Sequence, residues 1–198
     1  MNLPKRELTE RAFEAWYLMA KKDMNWINEL SKKNADCPCQ LQKCKEYVCL
    51  TESGSWSPAP RVYVSRETDE FCPPDGGQWA PYGAKKPSQK GHPGGEYDVR
   101  LNARSGASGI QCVYDKGGKL LTEPPGAGSG DHSAPGYGLS LLRHAIDDVL
   151  PFNWAKELDG DPDHPKAEGK HFQMYMEVRP VNKGKDPTTK KECPKNPQ

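Results

Sequence analysis

Apolar and polar positions along the chain form a few patterned runs separated by long stretches of turn residues. Over residues 4–33, Leu8, Ala12, Trp16, Met19, Ile27 and Leu30 keep close to a 3.6-residue repeat, and Pro4 suits a first turn. The spacing predicts one long amphipathic helix, whose Trp- and Met-containing stripe either packs a core or docks a partner. In the centre, Ile110, Cys112 and Tyr114 alternate with Gln111, Val113 and Asp115. Asp115-Lys116-Gly117-Gly118 then supplies turn residues and Lys119–Thr122 returns, which predicts a β-hairpin with Cys112 in a half-buried strand. Tyr97–Leu101 alternates as well and is expected to pair beside the hairpin, and Arg61–Val64 reads as one more short strand. Leu139–Val149 predicts a second helix with Leu141, Leu142, Ala145, Ile146 and Val149 on one face, stopped by Pro151. Phe172, Met174, Met176 and Val178 alternate with Gln173, Tyr175, Glu177 and Arg179, which predicts a strand over 171–179.

Between these runs, residues 50–97 are mostly turn chemistry. Beyond Pro124-Pro125, Gly126-Ala127-Gly128-Ser129-Gly130 has almost no side chain to bury, so it is slack or lies close against something. The expected fold is α+β: a small, mainly antiparallel sheet around residues 97–123 and 171–179 with two flanking helices at 4–33 and 139–150. Long Pro/Gly-rich loops would be stabilised by disulfides. Three segments follow: an N-terminal helix over 1–36, a cysteine-rich domain over 37–180, and a basic tail over 181–198, mobile except where Cys193 pins it. Lys183, Lys185, Lys190, Lys191 and Lys195 of that tail read as solvated, with an anionic cell envelope as the sharper alternative.

Composition changes this picture in two ways. Gly and Pro number 19 each and apolar residues make up only 34%, so the core is thin and something besides burial has to hold the loops. Seven cysteines supply a candidate: Cys37, Cys39, Cys44, Cys49, Cys72 and Cys193 as disulfide partners, with Cys112 a partner, a core residue or a nucleophile. Zinc is the competing use, but Cys-x-Cys-x4-Cys-x4-Cys lacks paired knuckles, and no metal or cofactor is expected. The net charge of +1 speaks against a general nucleic-acid binder. No stretch approaches a transmembrane segment. Disulfides require an oxidising compartment, yet charges break up residues 1–30 and leave no signal peptide there, which implies delivery without a cleaved leader.

Four motifs in order resemble the AMOP domain, a cysteine-rich extracellular adhesion module: Cys37-Pro38-Cys39, His92-Pro93-Gly94, Gly109-Ile110-Gln111-Cys112-Val113-Tyr114, and His144 through Asp148-Val149-Leu150. The similarity spans roughly residues 37–155. Val113 stands where the family tends to have a second Cys, and no Cys follows Phe152, so the family's disulfide pattern does not transfer whole. The resemblance implies adhesion or protein interaction and carries no catalytic residues. The same segments also resemble bacterial proteins of the secreted-toxin kind, including type VI secretion effectors, which implies delivery by an injection machine.

Neither H-E-x-x-H, nor G-x-S-x-G, nor a Walker A motif is present. The chemistry-bearing residues a fold could gather are His92, Asp98, Arg100, Cys112, Asp131, His132, His144 and Asp148. Cys112 with His144 as base, oriented by Asp148 or Asp131 and accompanied by His92, would make a hydrolase or acyl-transfer site. His144 and Asp148, four apart, share a helix face, and a structural pair is the alternative reading. Asp131 reads otherwise as a loop cap, and a carboxylate pair of Glu96 or Asp98 with Asp131 is the glycosidase-like alternative. The function expected is an exported bacterial effector or toxin acting outside the cytoplasm, with an immunity protein, a secretion-machine component or a cell-envelope ligand as partner. The alternative is a non-catalytic adhesion module that binds protein or glycan.

Overall fold

A computed structural model describes residues 4–32, 36–43, 71–74, 77–79, 91–101, 107–135, 138–161, 163 and 165–195. The fold is α+β, with two small antiparallel sheets. Helices α1 (Lys5–Lys22) and α2 (Asn25–Lys32) come first, then strands β1 (Gln42–Lys43), β2 (Phe71–Cys72), β3 (Gly77–Trp79), β4 (Tyr97–Leu101), β5 (Gly109–Tyr114) and β6 (Gly130–Asp131). Helix α3 (Leu139–His144) runs through a π-helical segment (Ala145–Val149) into α4 (Leu150–Leu158), and α5 (Lys170–Val178) closes the set. The larger sheet has the order β3-β4-β5-β6, and β1 pairs with β2 separately. The expected strand at Arg61–Val64 lies outside the described residues.

The turn of the central hairpin forms as its sequence predicts, but the return over 119–122 pairs through a single bridge, Tyr114 with Leu120, rather than as a strand. Val99 sits opposite Cys112, and Tyr97 opposite Tyr114. Gly118 takes φ +77° in the turn, and Leu121 N–H returns to the Val113 carbonyl. A second expectation changes: β5 is buried along its whole length rather than on alternate positions, because covering layers lie on both faces. The Gly-rich loop is one such cover. A Cβ on Gly128 would collide with the Gln111 carbonyl, and one on Gly130 would come 2.8 Å from the Trp26 ring, so these glycines permit close approach. The His92-Pro93-Gly94 turn docks on the same loop, with His92 Nδ1 3.1 Å from the Ala127 carbonyl.

Disulfides stabilise this half. Cys37 bonds Cys112 and Cys39 bonds Cys193, joining positions 75 and 154 residues apart. Cys72 is also disulfide-bonded, while Cys44 and Cys49 lie outside the described residues. Cys112 is therefore a partner, not a thiol, and none of these five cysteines is a thiolate available to zinc. Residues 181–195 are held by more than Cys193: Asn182 N–H donates to the Gly128 carbonyl and Lys185 N–H to the Cys37 carbonyl.

The helical half departs further from the pattern. The predicted single helix over 4–33 breaks at Asp23-Met24 into α1 and α2. Thr9 and Phe13 of α1 are buried while Leu8 and Met19 are exposed, so the inward face is turned by about one position from the apolar stripe. The strand predicted over 171–179 is α5. Its buried side chains, His171, Phe172, Tyr175 and Val178, follow a helical period. Met, Gln, Glu and Lys favour a helix there, and Asp159 caps it, accepting from the backbone N–H groups of His171 (3.1 Å) and Phe172 (2.8 Å). Trp16 stacks on Tyr175 at 5.6 Å, and Phe13, Leu158 and Phe152 complete that core.

Pro151 does not stop the second helix. Proline frees the carbonyl four residues back, here Asp147, and the π-helical turn opens around it. The Asp147 carbonyl then accepts from Trp16 Nε1 (3.2 Å) and Arg179 (3.1 Å). The helix face expected to be buried points out: Leu141, Leu142, Ile146 and Val149 are exposed, and His144 and Asp148 are inside.

Candidate functional site

Most of the buried charge collects where β4, β6, the π-helical segment and the end of α5 meet. Asp98 and Arg100 project from one face of β4, two residues apart. Arg100 ion-pairs with Asp131 of β6 and reaches Asp98 at 3.4 Å, while Gln111 donates to Asp98 at 2.8 Å. On the helix side, Asp148 accepts from Arg179 Nε at 2.6 Å. It also caps the turn after β6, accepting from the backbone N–H groups of His132 and Ser133, each at 3.1 Å. His144 Nδ1 lies 2.9 Å from the Ser133 carbonyl and 3.3 Å from Asp148. A carbonyl only accepts, so the Nδ1 proton is fixed there.

Burial and pairing set the charges. Burial raises Asp131, and although Arg100 pulls it back, the carboxyl is pushed up to about 6. Burial also disfavours the His144 cation, but the hydrogen bond His144 donates to Asp148 and the Asp131 charge outweigh it and hold the imidazole above its ordinary value. For Asp148, burial is outweighed by His144 and Arg179, which hold the carboxyl below its ordinary range. Asp98, Asp131 and Asp148 thus face Arg100, Arg179 and a readily protonated His144, three acids against three bases.

The atoms of Asp131, His144 and Asp148 that could ligate a metal lie within 4.8 Å of one another. However, both carboxylates already hold buried guanidinium groups, and a dication would have to displace them. The donor set fits an ion-pair network better than a metal centre.

The sequence-derived constellation is only partly assembled. His144, Asp148 and Asp131 come together, with His144 and Asp148 paired across one helical turn as their spacing predicts. Cys112 is bonded to Cys37 and cannot act as a nucleophile beside His144. His92 stacks on Phe152 at a ring-centroid distance of 6.5 Å, and burial lowers its pKa. The Asp98–Asp131 carboxylate pair has Arg100 between its members, which suits an ion pair rather than attack on a glycosidic bond. The loop-capping carboxylate is Asp148, not Asp131.

Sequence reading missed Arg179 altogether. It is fully buried, with its guanidinium 5.3 Å from the ring centroids of both Trp16 and Trp26. Its place after an apolar run was its only signal. His132 was grouped with the site and lies at its rim, bridging Asp23 (3.1 Å) and Asp147 (3.4 Å). Comparison with protein-family models, curated proteins and solved structures finds no match to this chain.

Proposed function

We propose that this chain is an exported bacterial protein of the effector or toxin type, with an AMOP-like domain, that works in an oxidising compartment outside the cytoplasm. The observation that supports this reading is the disulfide lacing. Cys37–Cys112 and Cys39–Cys193 tie the segment before β1 to the centre of β5 and to the C-terminal residues, and such bonds persist where thiols are not kept reduced. One observation favours a second, non-catalytic reading as an adhesion or interaction module. The groups best suited to catalysis are buried and already satisfied by one another. The test is bacterial growth on expression with and without an export leader. Arrest only with the leader supports the effector reading. A harmless exported protein that still binds cell surfaces supports the adhesion module instead.

A further inference from the structure

The helix over 139–150 is amphipathic in the reverse sense. Its inward side carries His144 and Asp148, and its outward side carries Leu139, Leu141, Leu142, Ile146, Val149 and Leu150, from 40% to 79% exposed. A contiguous apolar face of this kind marks a surface with something to meet. We propose that it docks on an anionic lipid bilayer, its aliphatic side chains entering the boundary between headgroups and acyl chains.

Two observations favour lipid over another protein. First, charge is complementary to anionic headgroups. Arg143 is exposed, whereas both carboxylates of the stretch are engaged on the protein side, Asp148 by Arg179 and His144, and Asp147 by Ser133 (2.7 Å) and His132. Second, the exposed apolar groups are only Leu, Ile and Val. Protein interface cores favour Tyr, Trp, Phe, Met and Arg, and their hot spots are poor in Leu and Val. The face can also be desolvated without orphaning backbone, because the Asp147 carbonyl freed by Pro151 is taken up from the protein side by Trp16 and Arg179. The proposal deepens the function reading above and rests on it only for where the protein meets a membrane.

The test is co-sedimentation of the full, oxidised chain with vesicles of phosphatidylcholine alone and of phosphatidylcholine mixed with phosphatidylglycerol. Binding to the mixed vesicles is expected, weakened in R143E and more than about tenfold weaker in L142E/I146E. Both sites are exposed, so the melting temperature should hardly move. Several results would overturn the proposal: no binding to either vesicle, binding unchanged in L142E/I146E, or a large fall in that variant's melting temperature, which would mean the face packs within this chain. Self-association or capture of a protein partner, abolished by L142E/I146E without vesicle binding, would also overturn it. Vesicle binding by a protein that is harmless when exported would defeat the effector reading alone. Toxicity without vesicle binding would defeat the lipid proposal alone.

Discussion

Around β4 and β5 the packed side chains are laced by disulfides, whereas the cluster built by α1, α4 and α5 contains no described cysteine and leans on Arg179. The first region gathers segments far apart in sequence, where closing a loop costs chain entropy that a thin core offsets poorly. The second is built from helices whose contacts are mostly aromatic, and a buried guanidinium between two indoles joins it to the sheet side. One half of the molecule therefore depends on redox state and the other on charge balance.

Reduction should have the largest effect and fall on the sheet half. By loop-closure entropy, each of the two bonds contributes about 4–5 kcal/mol. Reductant should loosen residues 36–41 and 181–193 before α1, α4 and α5, as read by amide hydrogen exchange. Simultaneous loss of protection in both halves would show that they are not separable. Next in size is Arg179→Ala, which leaves Asp148 buried without its guanidinium and should cost about 3–5 kcal/mol in urea unfolding. The double change Arg179→Met/Asp148→Asn should cost less, because it removes both charges while the amide oxygen still accepts from the His132 and Ser133 N–H groups.

A pH series sharpens the charge side. His144 and Asp131 both have raised folded pKa values, His144 from 6.5 and Asp131 from 3.8 to about 6. The stability each contributes is complete below its unfolded pKa and lost as pH rises through its folded one. The stability difference between the wild type and His144→Asn should therefore shrink as pH rises above the ordinary imidazole value of 6.5. A difference that grows over that range would overturn the assignment. Asp148 works in the opposite direction: its pKa is lowered, so its contribution is lost as pH falls below the ordinary carboxylate range. The smallest expected effect is Trp16→Phe, which removes one of two donors to the Asp147 carbonyl and should cost about 1 kcal/mol in urea unfolding.

What was readable in the chain was local. Asp115-Lys116-Gly117-Gly118 specified its turn because few residues tolerate positive φ, and Tyr97–Leu101 paired where its alternation placed it. His144 and Asp148 were readable as a pair because helical spacing alone brings them together. Arg100 with Asp131 and Arg179 with Asp148 were not, since each pair spans 31 residues and several elements.

The α+β class, the central turn, helices within 4–33 and 139–150 and the use of cysteines as cross-links all follow from local sequence. That residues 170–178 are helical, and that the helix over 139–150 faces inward with its polar side, depends on contacts between distant elements. The reason is physical in both cases. Nine residues of mixed apolar and polar type satisfy a period of two and of 3.6 almost equally, so packing on Phe13 and Trp16 and the remote Asp159 cap choose between them. A helix buries His144 and Asp148 in preference to leucines only where distant guanidinium groups and backbone N–H donors await them, and local sequence carries no record of that.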